Sequence, residues 1–366
     1  MRTRRQVVVT GLALAAGAAA SREARAEESA PARYAKAAQF SEENGGNAML
    51  VLKDGEIVYE HYIAGHTGDT PNFLASATKS FWGVAAAAMI GEGLISSFDE
   101  LAADTLTEWK ADARKAKITL RQILSLTSGL HNDIAAIQGE GNAPNKFQYA
   151  VGASLDDDPG TAFTYGPVNF YVFGEIARRK LEKQGLSPLD YLRKRIFEPI
   201  GLEYGKWTFD EAGNPHIPNG AYVAAREWIK FGRLVLDKGV HEGQALVPAD
   251  RLAECFAPNA VNPGYGLTWW LNRPGGRATR GRGADPAGPG GFLYRSGYPD
   301  IAGAMGAGPN NLYVLPSLGM AVVRQCPAEI RPANRTWEEQ SKLLEARRGR
   351  FNDNTFLSLL LTGAMP

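Results

Sequence analysis

Cysteine is nearly absent from this chain: Cys255 and Cys326 are the only two among 366 residues. That excludes a disulfide-stapled scaffold, and neither thiol has a neighbouring base that would make it a nucleophile. One disulfide or two buried thiols both fit the letters, because sequence carries no distance between them. Histidine is sparse as well. His61, His66, His131, His216 and His241 are scattered without the paired spacing of metal ligands, so neither a metal nor another cofactor is expected. Charge of one sign is missing too: 40 Lys and Arg stand against 39 Asp and Glu, for a net charge of +1. With no basic stripe interleaved with aromatics, nucleic acid is not an expected partner. The apolar run Val7–Ala20 is too short and too rich in alanine to span a bilayer, so no membrane segment is expected in the mature chain.

What is present is an ordinary globular composition, 44% hydrophobic and 22% charged, in a chain long enough for a large core with two lobes. Ahead of Val7–Ala20 stands a basic head of Arg2, Arg4 and Arg5, and after it comes Ala24-Arg25-Ala26, an A-x-A cleavage signal. Thr3-Arg4-Arg5-Gln6-Val7-Val8 looks like a twin-arginine export signal. Residues 1–26 are therefore expected to be a signal peptide, and the mature chain from about Glu27 is expected to work in the periplasm or outside the cell.

Strand signals sit at both ends of the remainder. Asp54-Gly55 between the apolar runs 48–52 and 57–63 predicts a β-hairpin. Residues 311–315 and 320–325 predict a second one around Pro316-Ser317-Leu318-Gly319, and the aromatic run Tyr265–Leu271 predicts a strand. Between them the pattern is helical. Helices are expected from Ser76 to about Gly91, over 118–130 with Thr119 as N-cap and Gly129 as the stop, and over 169–183, 188–197 and 224–236. Two more, at 338–347 and 355–361, finish the chain. The segments 131–158 and 275–291 read as loops. Strands from the two ends are most simply joined in one antiparallel sheet flanked by helices, so an α+β fold is expected. In it, one lobe comes from about 40–80 and 257–366, and a helical lobe from about 81–256.

The chemistry concentrates at Ala75-Ser76-Ala77-Thr78-Lys79-Ser80-Phe81. On a helix Ser76 and Lys79 share a face. A serine hydroxyl attacks only once a base takes its proton, and a lysine serves as that base only when neutral. Burial against Phe81 and the following alanines would disfavour the ammonium form. N–H groups at the helix start would stabilise an oxyanion at Ser76. Yet S-x-x-K arises by chance about once in a chain of this size, and a capping serine followed by a solvated lysine gives the same letters.

Taken with its neighbours, this motif resembles that of the serine β-lactamase and penicillin-binding-protein superfamily, in the branch of class C β-lactamase-like esterases and amide hydrolases. Residues 118–130, ending Thr127-Ser128-Gly129-Leu130, are similar to the second helix of that family. Pro159 to Tyr165 resembles the approach to its catalytic tyrosine, and Tyr265 to Leu271 resembles its Y-G-x-G-W-W-L segment, with Thr268 where glycine is common. The resemblance covers roughly residues 40–330. It implies Ser76 as nucleophile, Lys79 and Tyr165 as the proton-shuttling pair, and backbone N–H groups of Ser76 and Ala307 as the oxyanion hole.

The chain also departs from the pattern. Where the family often reads Tyr-x-Asn, with the Asn binding a substrate amide, this chain has Tyr165-Gly166-Pro167-Val168-Asn169. Asn169 is left either to replace that group or to cap the helix. In the family's Lys/His-Thr/Ser-Gly segment this chain has Met305-Gly306-Ala307-Gly308, without a cation; Gly306 and Gly308 would let backbone approach a substrate. Arg277, Arg280, Arg282 or Arg295 would have to supply a charge from elsewhere. The expected function is an exported serine hydrolase acting on a small-molecule ester or amide. A β-lactamase or D,D-carboxypeptidase, and an inactive binding protein of the same fold, are the alternatives.

Overall fold

The computed structural model describes residues 29–138, 142–273, 279–280, 293–327 and 351–366. The expected signal peptide, nearly all of the 275–291 loop and the expected helix at 338–347 lie outside them. Among the described residues no helix is long and apolar enough to cross a membrane.

Among the described residues, six strands form the main sheet: β1 (Ala48–Lys53), β2 (Glu56–Tyr62), β3 (Trp270–Leu271), β4 (Ala302–Gly306), β5 (Asn310–Leu315) and β6 (Met320–Gln325). Their spatial order is β2-β1-β6-β5-β4-β3, antiparallel throughout. The first hairpin turns where predicted, with Asp54 at φ 51° and Gly55 at φ 87°, the paired positive values of a type I′ turn. The second turns on Gly319 at φ 57°. The two hairpins then zip together, Ala48 opposite Gln325 through Lys53 opposite Met320.

Because side chains alternate along a strand, β1 feeds two cores. Leu50 and Leu52 face helix α5 (Ala225–Leu236) and the helical lobe, while Met49 and Val51 face α1 (Ala30–Glu43) and the C-terminal helix α6 (Asp353–Thr362). Helix α5 carries its apolar residues at helical spacing, Ala225, Trp228, Ile229, Phe231, Gly232 and Val235 all being buried. Gly232 sets how close it lies to the sheet, since a Cβ there would sit 2.9 Å from Leu312 Cδ1 and 3.1 Å from Ala321 Cβ. Helix α1 buries only Tyr34, Ala37, Ala38 and Ser41, a stripe too weak for the sequence pattern to have predicted it.

Three expectations change. The helix with Thr119 as cap forms, with a full capping box to Gln122, but α3 (Leu120–Leu124) ends five residues before Gly129. Gly129 serves instead a turn at φ 79° that lies against the Asp157 backbone. The segment 131–158 is not all loop, since Ile134–Gln138 and Lys146–Gly152 are helical. Tyr265–Leu271 is a tight reversal rather than one strand: Gly266 N–H donates to Trp269 O at 2.9 Å and Tyr265 bridges back to Trp270. The reversal sends adjacent tryptophans apart, Trp269 against Phe231 and Phe256, Trp270 against Tyr165. Thr268 sits there at φ 74°, a strained value for a β-branched residue and the reason glycine suits the position. Cys255 and Cys326 are both buried, and no disulfide joins them.

Replacing Gly232 by Leu should overpack the α5–sheet contact and cost about 1–3 kcal/mol. Urea unfolding would show this as a lower midpoint at unchanged slope; an unchanged midpoint would contradict the close seating of α5.

Candidate active site

Chain entry into the site is fixed before Ser76 is reached. Asn72–Phe73 pairs with Tyr222–Val223, and Leu74 N–H donates to Ala221 O at 2.9 Å. Asn72 itself is buried in a chain of amides: it accepts from Asn47 at 3.0 Å and donates to Gln325 on β6 at 2.9 Å. Ala75 then takes φ 49°, a left-handed value that costs a non-glycine residue about 1 kcal/mol or more. The next turn is a 3₁₀ turn, Ala75–Thr78, and only at Lys79 does α2 (Lys79–Gly91) begin. Ser76 thus sits half-buried in the tight turn and not at the start of the helix, which begins three residues later than expected. In a 3₁₀ turn residues i and i+3 eclipse, so the lysine stem folds back directly over the serine. Lys79 Nζ lies 3.0 Å from Ser76 Oγ.

Helix α2 is buried from Lys79 through Ile90, which is why the amine is held out of water. Lys79 is 4% exposed. Its remaining contacts are the Pro218 carbonyl at 3.2 Å and the ring faces of Tyr165 and Phe170, at 5.2 and 5.3 Å. The carbonyl and rings favour an ammonium, but burial outweighs them and pushes the amine down to about 7 from its usual value near 10.5. At neutral pH a large share of Lys79 is therefore free base, within reach of the serine proton.

Tyr165 arrives on the segment from Phe163–Thr164, where Thr164 N–H donates to Leu126 O at 2.9 Å. Its ring packs on Trp270 at 5.5 Å and edge-on against Tyr265 at 6.4 Å. The structure thus gathers Ser76, Lys79 and Tyr165 in one place. Helix α4 (Val168–Leu181) follows, with Pro167 at its N-cap and no side-chain cap from that residue. Asn169 is therefore not the cap. It lies inside the first turn, 2% exposed, and accepts from Ser128 Oγ at 2.5 Å. The side chain beside Tyr165 is instead Asn132, which sequence reading did not single out. Its Nδ2 donates to Tyr165 O at 3.1 Å and its Oδ1 accepts from Val168 N–H at 3.4 Å.

Strand β4 closes the third side. A Cβ on Gly306 would overlap Leu74 O and lie 3.2 Å from Ala77 N, so only glycine lets this strand lie on the nucleophile turn. Ala307 follows at the strand end, half-exposed, its carbonyl held by Asn310 Nδ2 at 3.0 Å, and Gly308 turns the chain at φ 74°. No basic residue occurs between Ala304 and Asn311. Arg295 is exposed, and its backbone N–H is bonded to Asn354. Arg277 and Arg282 lie outside the described residues, as does the side chain of Arg280. Among the described residues no group of histidine, cysteine or carboxylate side chains could hold a metal ion.

The profile of the Beta-lactamase family matches residues 32–340. The 6-aminohexanoate-dimer hydrolase of Paenarthrobacter ureafaciens is 25% identical over 229 residues, 57% of this chain and 56% of that protein, so the match spans little more than half of the relative. Among solved structures, a penicillin-binding-protein homologue from Caulobacter crescentus superposes with a TM-score of 0.61 at 18% identity, over 87% of this chain and 98% of its own. A D-stereospecific amidohydrolase from Streptomyces sp. does so with a TM-score of 0.60 at 16% identity, over 82% and 95%. With the α+β sheet and the Ser76–Lys79–Tyr165 grouping already in place, the extent of the profile match settles the family: this chain belongs to the Beta-lactamase family.

Proposed function

We propose that the protein is an exported serine hydrolase that cleaves an ester or a small amide through an acyl-enzyme on Ser76. The observation that carries this is the buried Lys79 amine 3.0 Å from the Ser76 hydroxyl, with its basicity lowered to about 7. Neutral Lys79 takes the hydroxyl proton as Oγ bonds to the substrate carbonyl carbon. Backbone N–H groups of Ser76 and Ala307 stabilise the resulting oxyanion. As the bond to the leaving group breaks, the proton passes through Lys79 and Tyr165 to the departing oxygen or nitrogen. Water then adds to the acyl-serine by the same proton route in reverse, releasing the acid and restoring Ser76.

The substrate class is argued from the residues around the site, where Trp270 is part-exposed and Tyr265 and Phe170 are buried. Trp270, Tyr265 and Phe170 surround Lys79 and Tyr165, and Ala304–Asn311 offers no cation. A penicillin or D-alanyl peptide would bring a carboxylate with no charged partner on that strand. Uncharged acyl groups suit it better. The names of the two hydrolase relatives point to amide bonds, which keeps small amides beside esters. Export rests on the Arg4-Arg5 signal pattern.

A fluorophosphonate probe should label the wild-type protein with one adduct by intact mass, and an ester and amide panel should be turned over. Ser76→Ala should abolish both, and nitrocefin turnover should be slow or absent. Labelling that survives Ser76→Ala would remove the nucleophile, and fast nitrocefin hydrolysis would overturn the substrate ranking. For export, Arg4→Lys combined with Arg5→Lys should leave the protein in the cytoplasm with its N-terminus uncleaved; unchanged export would count against a twin-arginine route.

A further inference from the structure

Gly166, next to the proton-shuttling tyrosine, has no place for a side chain. A Cβ there would overlap the side-chain amide of Asn132. Its φ is not in the left-handed region, so the exclusion is one of space alone. The Asn132 amide lies flat on Gly166 and bridges the two sides of the bend, donating to Tyr165 O and accepting from Val168 N–H. A backbone carbonyl only accepts and a backbone N–H only donates, so the two neighbours fix which way the amide is turned.

Asn132 is itself anchored. On one side His131 N–H donates to Ser154 O at 2.8 Å and its ring meets Asp156 at 2.9 Å. On the other, Asp133 accepts from Ala136 N–H at 2.9 Å and from the Tyr149 hydroxyl at 2.6 Å. A second strap, Ser128 to Asn169, runs parallel to it. The segment carrying Asn132 is therefore a fixed support rather than a loose loop.

We propose that Asn132 is a positioning residue for Tyr165, acting through the tyrosine's backbone and requiring Gly166 as its seat. This rests on the catalytic role proposed for Tyr165. Because Pro167 brings no cap to α4, Asn132 performs two separable tasks: its oxygen caps the helix at Val168 and its nitrogen holds the tyrosine. A displacement of about 1 Å in such a group can cost about 100-fold in rate.

Asn132→Asp separates the tasks. The carboxylate keeps the helix cap and opposes the Tyr165 carbonyl. It should leave the melting temperature within about 3 °C and KM within about twofold, lower kcat by about tenfold or more, and shift the pH–kcat profile. Unchanged kcat with unchanged melting would make Asn132 a helix cap only and overturn the proposal. Should Asn132→Asp fail to fold, a second pair decides. Gly166→Ala should nearly abolish turnover, and adding Asn132→Ala should restore at least tenfold of it, because the methyl then occupies vacated space. A double variant no better than Gly166→Ala overturns the proposal. Ser76→Ala run in parallel keeps the failures distinct: turnover surviving that substitution sinks the hydrolase reading itself, whereas wild-type kcat in Asn132→Asp sinks only this inference.

Discussion

Everything in the site depends on holding one amine out of water beside one hydroxyl. Moving Lys79 from its usual basicity to about 7 costs on the order of 5 kcal/mol of folding free energy at or below neutral pH. The sign follows from proton counts. Between about pH 7 and 10.5 the unfolded chain binds a proton that the folded chain does not, so the penalty shrinks as pH rises through that window. A cost of that size is comparable to the whole net stability of many domains. It must be offset by the apolar packing of α2, the most completely buried helix around the site.

The turn that makes the contact is equally constrained. Ala75 is left-handed and opens the 3₁₀ turn Ala75–Thr78, and β4 presses on it at Gly306 with no room for a methyl group. The amide chain Asn47–Asn72–Gln325, continued by Gln325 Nε2 to Val223 O at 2.9 Å, ties the approach to both hairpins of the sheet. The sheet thus places the serine, and the helical lobe places the tyrosine through the segment 126–132. The lysine stands where they meet, donating to Pro218 O and lying under the Tyr165 ring. Local strain at Ala75 and Thr268 is tolerated because packing from both lobes over-determines those residues.

Much of this was legible in the letters. Asp54-Gly55 and Pro316 to Gly319 announced two hairpins, and Ser76-x-x-Lys79 with Phe81 and the alanines announced a buried amine. What could not be read were features that depend on distant segments. The reversal at Tyr265–Thr268 needs a non-glycine positive φ, which no residue type signals. Helix α1 buries too narrow a stripe to show periodicity. Asn169 looked like a cap or a substrate ligand, yet Ser128, 41 residues earlier, takes its oxygen. Asn132 was missed for the same reason, although Gly166 directly after the tyrosine was a trace of the side chain that covers it.

The central claim is that Lys79 acts as a neutral base toward Ser76. It is tested most directly by the rate of Ser76 acylation with a fluorophosphonate, measured by stopped-flow across pH 5 to 10. The account predicts a rate that rises with a midpoint near 7 and is lost in Lys79→Arg, whose guanidinium stays charged. A rate independent of pH across that range, or one that survives Lys79→Arg, would contradict it.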